Sequence, residues 1–299
     1  MYAYDIGLLW NWEYDRDFVA LLEHHCHLRE LALLQVTPDN FMTVWRALVR
    51  GEMMFQVLLD RASDMDIRFL PIAFWARDVA GYRLNPYEKA MATWDKATLH
   101  TKLEAAGLTA PLTTILPAHE DQPLLPEMDL RRFGSACVLK PAHGGGGLGV
   151  VTGLQSFAEV LAVRQEFPAD HYLLQAQIVP RQCDDYRAWF RVLYCLDAIY
   201  PCWWNQHPHV YAPVTPLQIE RYALQPLFEL TRALARLCEL DIFSTEIALT
   251  AQGEFVVVDY VNDQIDLRLR SHAADGVPDE IVQAIAARIA DWVAMQGVS

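Results

Sequence analysis

The spacing of apolar residues switches between two periods along the first part of the chain. Short apolar runs at 6–10, 31–36 and 55–59 have the composition of buried strands. The segments at 17–28 and 41–50 have helical spacing, and the second begins after Thr37-Pro38-Asp39. Strands that alternate with helices of this length predict a small parallel sheet covered by helices.

Asn85-Pro86 interrupts this pattern. The segments beyond it predict a mixture of helices and strands. The predicted helices lie at 87–106, 156–166, 224–240 and 278–295. The predicted strands lie at 113–116, 172–178, 186–195, 199–204, 243–250 and 254–261, together with a glycine-rich hairpin at 136–153.

Composition limits the classes of partner. The 299 residues are 53% hydrophobic and carry a net charge of −14, which argues against nucleic acid and anionic membranes. The chain shows neither a basic region ahead of an apolar run nor an apolar stretch long enough to cross a bilayer, so we expect a cytoplasmic protein. Six cysteines without a Cys-x-x-Cys pair predict reduced, mostly buried thiols. The sequence leaves open whether the chain forms a homodimer.

Lysine is rare in this chain: of 24 basic residues, only Lys89, Lys96, Lys102 and Lys140 are lysines. Lys140 ends the apolar run Cys137-Val138-Leu139 and leads into a segment with five glycines between positions 144 and 149. Glycine lets the backbone approach a ligand closely, and successive N–H groups of such a loop can bind an anion. The combination predicts a polyphosphate-binding loop.

Gly144, Gly146 and Gly149 match the spacing G-x-G-x-x-G, which also occurs in other nucleotide-binding motifs. A dinucleotide fold requires a helix directly after the glycines, but the β-branched Val150-Val151-Thr152 predicts a returning strand. A protein kinase requires a later lysine with His-Arg-Asp and Asp-Phe-Gly, and a Walker A loop requires Lys-Ser/Thr after the last glycine; neither condition is met. A flexible surface hairpin is the simplest alternative.

Two acidic residues near the C-terminus are predicted to face each other. If Gln252-Gly253 is a two-residue hairpin loop, Glu246 lies directly opposite Asp259. Opposed like charges destabilise a sheet unless solvent or a cation separates them. Mg²⁺ suits such carboxylates, and Asn262 could add an oxygen. The alternative is a pair of solvated carboxylates at a sheet edge.

Arginines are candidates for anion binding. On a continuous strand, Arg187, Trp189 and Arg191 would share one face, and Arg268 and Arg270 repeat the same spacing later. Both pairs could hold anions, or they could be ordinary surface charges.

Taken in chain order, these features resemble the ATP-grasp superfamily. They are Lys96 after Asp95, Lys140 before a glycine hairpin, a polar strand-to-linker segment, Asp185-Tyr186-Arg187 and a terminal acidic hairpin. The resemblance extends from about residue 85 to residue 270. Within the superfamily, the Asp-Tyr-Arg strand is most similar to the ribosomal-protein-modification and glutathione-synthetase-like carboxylate–amine ligases.

The resemblance implies an α/β (α+β ATP-grasp) fold with three units. Residues 1–88 would form a small N-terminal parallel α/β domain, and residues 89–178 a lid subdomain with the glycine hairpin. Residues 179–299 would form a C-terminal subdomain with a metal-binding hairpin. The last two units would grip ATP between them.

The resemblance also implies roles for individual residues. Lys96 and Lys140 would contact the α- and β-phosphates, beneath a lid formed by His143, Gly144, Gly145, Gly146, Gly147, Leu148 and Gly149. Adenine would be bound by the hinge Gln175, Ala176, Gln177 and Ile178, and ribose by Asp184 or Asp185. Mg²⁺, or Mn²⁺ in its place, would be held by Glu246, Asp259 and Asn262. The catalytic residues would be Arg187, Lys140 and Arg268.

Two departures from the family pattern bear on these roles. Asp259-Tyr260-Val261-Asn262 is one residue longer than the family's usual Glu-x-Asn or Asp-x-Asn, which weakens the case for Asn262 as a ligand. The hinge carries Ala176 where an acidic residue is frequent, so adenine contacts there would depend on backbone groups.

The activity implied by the resemblance is ATP-dependent ligation of a carboxylate to an amine through an acyl phosphate, with small-molecule substrates. Two alternatives stay open: a small-molecule phosphotransferase and a non-catalytic ATP-binding regulatory protein. Two aromatic segments could line the acceptor pocket or could belong to the core. They are Trp10-Asn11-Trp12-Glu13, and Trp203-Trp204-Asn205 with His207, His209 and Tyr211.

Overall fold

The N-terminal part of the protein is a parallel sheet with helices between its strands. The structure, a computed structural model, describes residues 2–206 and 209–296. The first elements are β1 (Tyr2–Trp10), α1 (Arg16–His27), β2 (Leu33–Val36), α2 (Phe41–Val49), β3 (Met53–Arg61), α3 (Leu70–Val79) and β4 (Tyr82–Leu84). The strands lie in the order β2-β1-β3-β4, and every pairing is parallel. The predicted parallel α/β arrangement is confirmed, although the sequence pattern does not predict α3 or β4.

A four-stranded antiparallel sheet follows. Its region contains α4 (Tyr87–Met91), α5 (Lys96–Ala105), β5 (Thr113–Leu116), β6 (Cys137–Pro141), β7 (Val151–Leu154), α6 (Phe157–Val163) and β8 (Tyr172–Ala176). The strand order is β5-β8-β6-β7. The single helix predicted at 87–106 is wrong, because Asp95 starts a new helix: its carboxylate accepts hydrogen bonds from the backbone N–H groups of Ala97 and Thr98.

The last third of the chain forms a five-stranded antiparallel sheet. Its elements are β9 (Gln182–Cys183), β10 (Tyr186–Arg187), β11 (Trp189–Cys195), β12 (Ala198–Asn205), β13 (Val210–Pro213), α7 (Pro216–Arg221), α8 (Gln225–Cys238), β14 (Ile242–Leu249), β15 (Phe255–Asn262) and α9 (Asp279–Gln296). The main sheet has the order β13-β12-β11-β14-β15, and β9 and β10 form a separate ribbon. Helices α5 and α8 pack on one core with β11 and β14.

The strand predicted at 186–195 is interrupted at Ala188. The Ala188 N–H donates to the Arg181 carbonyl and its carbonyl accepts from Leu249, so this residue leaves the ribbon for the main sheet. Arg187 pairs with Gln182 in the ribbon, whereas Arg191 lies between β12 and β14. The prediction that both arginines share one face of a continuous strand is therefore wrong.

The last helix of the chain packs against its first helix. Helix α9 packs against α1, and both contribute to one apolar core with β1. All six cysteines are free and buried, as predicted: Cys26, Cys137, Cys183, Cys195, Cys202 and Cys238. No helix in the described ranges is both long and apolar enough to cross a membrane.

Candidate nucleotide and metal site

Lys140 connects the two antiparallel sheets. It lies near the end of β6, where its Nζ donates to the Val258 carbonyl of β15 at 3.0 Å and lies 4.8 Å from the centre of the Tyr260 ring. Burial lowers the pKa of Lys140 to about 8, against the opposing effect of Asp259. The ammonium group is thus held beside the acidic hairpin and not in bulk solvent.

The glycine loop begins between two anchors. Lys96, the first residue of α5, donates through Nζ to the Gly144 carbonyl. On the other side, His143 is tied to Asp170, whose carboxylate accepts from the His143 backbone N–H at 2.9 Å and lies 2.9 Å from its Nδ1. The start of the loop is therefore held on both sides. Lys96, one of the two predicted phosphate-binding lysines, lies beside its first glycine.

The loop needs glycine at several of its positions. Gly144, Gly146, Gly147 and Gly149 have positive φ values between +62° and +104°. At Gly149 a Cβ would also lie 2.6 Å from the Phe167 ring. The chain leaves the loop into β7, which pairs antiparallel with β6, as the β-branched residues after the loop predicted. Leu148 is exposed at the tip.

The acidic hairpin pairs Glu246 with Asp259, as predicted, but through a different turn. The Thr250 N–H donates to the Glu254 carbonyl, which leaves a three-residue loop that ends at Gly253 with φ +86°. This turn alone would put Glu246 out of register. A bulge at Val258, the residue whose carbonyl Lys140 binds, shifts β15 by one position and restores the pair.

A second bulge brings Asn262 to the same site. Asp259 pairs with Glu246 and Asn262 pairs with Ser244, so β15 advances by three positions where β14 advances by two. Asn262 Nδ2 donates to Asp259 Oδ2 at 2.9 Å. The extra residue in this segment therefore does not displace Asn262 from the acidic pair, because the strand absorbs it as a bulge.

Glu246 is buried, and each of its carboxylate oxygens has a protein partner. Its Oε2 accepts from Trp189 Nε1 at 2.8 Å and from Gln206 Nε2 at 3.4 Å, and its Oε1 lies 3.3 Å from Arg191 Nη1. Burial raises the pKa of Glu246, the Arg191 charge opposes that rise, and Asp259 adds to it. The alternative of two solvated edge carboxylates is wrong for Glu246, whereas Asp259 is half-buried.

The donor set fits one hard divalent cation. Two carboxylates and one amide converge, and oxygen donors of this kind suit Mg²⁺. Because Asn262 uses its Nδ2 toward Asp259, its Oδ1 is the atom available for a cation. Within residues 2–206 and 209–296, no group of three or more His, Cys, Asp or Glu side chains is placed to hold a metal ion, so this candidate site consists of two carboxylates and one amide.

The predicted arginines occupy different environments. Arg187 is exposed in the β9–β10 ribbon. Arg268 lies after β15, where it binds both carboxylate oxygens of Asp266 at 2.6–3.1 Å and reaches Asp275 at 3.0 Å. The hydrogen bonds that Arg268 donates to Asp266 raise the pKa of Arg268. Arg270 donates to the Tyr211 carbonyl at 2.9 Å. Glu246 is paired with none of these three; its partner is Arg191.

The hinge predicted to bind adenine begins with the last two residues of β8 and continues beyond it. Gln175 is buried and its side chain points into the protein, donating to Thr113 Oγ1 and Tyr260 Oη at 2.9 Å each. The backbone N–H of Ala176 donates to Leu112 and that of Gln177 to Ala136, and Ile178 is half-buried. Gln175 pairs with strands on both sides and Ala176 pairs with Cys137, so the Gln177 carbonyl and the Ile178 N–H are the backbone groups to test for nucleotide binding.

The two residues predicted near ribose lie in the turn of the ribbon. Asp184 accepts from Tyr222 Oη at 2.5 Å and from Arg221 Nη2 at 3.1 Å. Asp185 is exposed beside it. Asp184 therefore fixes the turn to the C-terminal end of α7.

The two aromatic segments differ in their exposure. Trp203 is core: it is buried and stacks on Tyr186 at 4.8 Å. Trp204 packs against Tyr211 and His209 and lies over the Arg191 guanidinium. His207 lies outside the described residues. After β1, Trp12 contacts Tyr14.

Four residues that contact the predicted site residues are not among the site candidates from the sequence. Trp189 and Gln206 hold Glu246, Tyr260 contacts Lys140, and the Tyr14 ring lies 4.4 Å from the Arg268 guanidinium. Trp189 carried a usable signal, because it is two residues before Arg191 on the same strand. The others are brought in by bulges and loops that no period reveals.

The chain matches no protein-family model and no curated protein. It does match solved structures along nearly its whole length. A RimK domain protein ATP-grasp from Sphaerobacter thermophilus DSM 20745 is 20% identical with a TM-score of 0.63, covering 96% of this chain and 98% of that one. D-cycloserine synthetase DcsG is 14% identical with a TM-score of 0.63, covering 96% and 99%.

D-alanine–D-alanine ligase from Bacillus anthracis, complexed with ATP, is 10% identical with a TM-score of 0.62, covering 99% of this chain and 98% of that one. Agreement over both whole chains at such low identity is evidence about architecture. The described structure is consistent with that architecture. A parallel sheet comes first along the chain, followed by an antiparallel sheet with the glycine hairpin and a second antiparallel sheet with the acidic hairpin. The protein therefore has the ATP-grasp fold.

Proposed function

We propose that the protein is an ATP-dependent carboxylate–amine ligase. One observation carries the proposal: Lys140 joins the strand before the glycine loop to Val258, the residue next to Asp259 in the acidic hairpin. A cation beside a phosphate-binding loop and a carboxylate pair that suits Mg²⁺ are thereby adjacent. Such an arrangement supports phosphoryl transfer, in which catalysis depends mainly on position and charge.

In the proposed reaction, an oxygen of the substrate carboxylate attacks the γ-phosphorus of ATP, and the bond from that phosphorus to the ADP oxygen breaks. The amine nitrogen then attacks the acyl carbon, loses a proton and expels phosphate, which leaves an amide. Lys96 and Lys140 would neutralise the α- and β-phosphates. The glycine loop would cover them and exclude water from the acyl phosphate.

Glu246, Asp259 and Asn262 would hold Mg²⁺, or Mn²⁺ in its place. The cation would neutralise phosphate charge. Arg187 and Arg268 are proposed near the transferring group; Arg268 would first have to loosen its ion pairs with Asp266 and Asp275. Gln175, Ala176, Gln177 and Ile178 would bind adenine, and Asp184 or Asp185 ribose.

We keep the proposed units as functional divisions. Residues 1–88 would contribute to the acceptor pocket, residues 89–178 the lid and residues 179–299 the metal site. Small carboxylates and amines are the proposed substrates. A cytoplasmic location is kept as a proposal, and the acidic composition argues against nucleic-acid partners. Whether the protein is a homodimer is open to a mass measurement in solution.

The test is ADP release. The protein is incubated with ATP and Mg²⁺ over a set of amino acids and small carboxylates, with and without amines, and the product mass is determined. We expect ADP release that needs both substrates and a product whose mass is that of an amide. A phosphorylated product would indicate a phosphotransferase, and ATP binding without ADP release a regulatory protein.

Lys140→Ala tests the site itself. We expect ADP formation to fall about 100-fold or more, because the variant loses a charge that stabilises the phosphoryl oxygens. Lys102→Ala is the matched control, since Lys102 is an exposed lysine on α5. Unchanged ADP formation in Lys140→Ala would contradict the proposed function.

A further inference from the structure

A chain of buried polar side chains runs behind Lys140. Gln175 Nε2 lies 2.9 Å from Tyr260 Oη, and Tyr260 Oη lies 2.7 Å from His100 Nδ1. Tyr260, Gln175 and His100 are each at most 2% exposed. Beyond the imidazole, His100 Nε2 lies 3.3 Å from a carboxylate oxygen of the exposed Glu104, at ion-pair distance but without good hydrogen-bond alignment. The chain joins β8, β15 and α5.

The direction of each hydrogen bond in this chain follows from the chemistry of the groups. An amide nitrogen only donates, so Gln175 donates to the Tyr260 oxygen. The Tyr260 hydroxyl proton is then free to go to His100 Nδ1, which accepts when the proton of a neutral imidazole is on Nε2, toward Glu104. Burial lowers the pKa of His100, which favours this neutral form. The Tyr260 hydroxyl is therefore held from both sides.

Tyr260 has an unusual place in the strand. It lies in the segment between Asp259 and Asn262 where β15 has one residue more than β14. Its ring stacks near His100 on one side, with centroids 5.7 Å apart, and lies 4.8 Å from Lys140 Nζ. A lysine side chain has four rotatable carbon bonds and no preferred direction of its own. A fixed aromatic ring gives the lysine a preferred direction, because the ammonium group is attracted to the face of the ring.

We propose that Tyr260 is the positioning residue for Lys140, and that Gln175 and His100 fix Tyr260 by its hydroxyl. The ligand that depends on this arrangement is the diphosphate of a bound adenine nucleotide. The inference rests on the proposed function, because it assigns Lys140 to the α- and β-phosphates. It adds that the hinge strand and the acidic hairpin are coupled through Gln175 and Tyr260, so the bulged segment of β15 that contains Tyr260 serves phosphate binding.

The experiment measures discrimination between ADP and adenosine by calorimetry, without acceptor substrates. Tyr260→Phe removes only the hydroxyl tether, and Tyr260→Leu removes the ring as well. We expect the ratio of ADP affinity to adenosine affinity to fall about threefold in Tyr260→Phe and about tenfold in Tyr260→Leu. Adenosine affinity itself should stay within about twofold, since Lys140 does not contact the nucleoside in this proposal.

Tyr194→Phe is the matched control. It removes another largely buried tyrosine hydroxyl from the same sheet, bonded to Asp197 at 3.0 Å, and Tyr194 has no contact with Lys140. This control should leave the ratio unchanged. If Tyr260→Leu does not fold, Tyr260→Phe decides the matter alone, because it keeps the ring and its volume.

The outcomes separate the two proposals. If Lys140→Ala loses ADP affinity while both Tyr260 variants keep the wild-type ratio, the positioning role is overturned and the proposed function stands. Equal losses for ADP and adenosine in the Tyr260 variants would also overturn it, since they indicate a general packing defect. A wild-type protein that binds neither ADP nor ATP overturns the proposed function, and the positioning role with it.

Discussion

Arg191 and Glu246 form an ion pair whose side chains are 17% and 10% exposed. The Arg191 guanidinium also donates through Nε to Ser244 and lies 5.2 Å from the centre of the Trp204 ring. Replacing such a pair as a unit can be nearly neutral, but removing one partner leaves a buried charge without compensation. The residue that holds Glu246 therefore contributes to stability before any ligand is bound.

We expect Arg191→Met to destabilise the protein by about 3 kcal/mol at neutral pH, because Glu246 then loses its cationic partner. The measurement is the free energy of unfolding in urea. Arg187→Met is the matched control: Arg187 is exposed in the ribbon, and no measurable change is expected. A loss below about 1 kcal/mol in Arg191→Met would show that Glu246 does not remain an uncompensated buried charge, because solvent or a proton replaces Arg191.

At the scale of elements, the glycine loop and the acidic hairpin show what sequence patterns can and cannot predict. The β-branched exit from the loop predicted β7 correctly, and Asp95 before Lys96 is a helix cap whose effect the long apolar period at 87–106 concealed. Periodicity predicts where helices and strands lie, but it does not reveal a capping carboxylate that divides one predicted helix into two.

The pairing of Glu246 with Asp259 was predicted from a two-residue turn that does not exist. The three-residue turn and the bulge at Val258 each shift the register by one position, and the two shifts cancel. Bulges depend on tertiary contacts, such as the one from Lys140 to the Val258 carbonyl, and no local pattern encodes them. The same reason explains why Tyr260 was missed.

Gly149→Ala tests the geometry of the loop. Alanine there would be strained at φ +71°, and its Cβ would collide with Phe167. We expect a loss of about 1–3 kcal/mol in stability or, if the loop shifts instead, weaker ATP binding. Thermal unfolding and ATP calorimetry distinguish the two results.

Gly145→Ala is the control for this loop, because a Cβ at Gly145 meets nothing within 4 Å and its φ is not positive. Its melting temperature should match the wild type, because alanine meets neither strain nor a collision there. If Gly149→Ala matches the wild type in both measurements, the loop tolerates a side chain at its exit and does not need the conformation described here.

At the scale of the whole molecule, the N-terminal sheet is tied to the segment that follows the acidic hairpin. Arg61, the last residue of β3, donates to the Ile265 carbonyl at 2.8 Å and forms a buried ion pair with Asp15. Gln264 donates to the Asp60 carbonyl at 2.9 Å. With α9 packed on α1, these contacts join the two ends of the chain. Periodicity predicted the elements here, but not these contacts, which pair residues about 200 positions apart in sequence.

Asp60 makes this junction sensitive to pH. Burial raises the pKa of its carboxyl, more than the hydrogen bonds from Ser63 and Ala62 lower it. The folded protein therefore binds this proton more tightly than the unfolded chain does, and the wild type loses stability as pH rises above about 4, the ordinary pKa of aspartate. Asparagine keeps an oxygen that can accept from Ala62 and Ser63, and it cannot ionise.

We accordingly expect Asp60→Asn to melt about 2–4 °C above the wild type at pH 8, and the difference to shrink toward zero at pH 4. Thermal unfolding across this pH range measures it. Asp39→Asn replaces an exposed aspartate and should show no pH-dependent difference. A constant difference between Asp60→Asn and wild type at all pH values would mean that folding does not raise the pKa of Asp60 and that the substitution acts through packing.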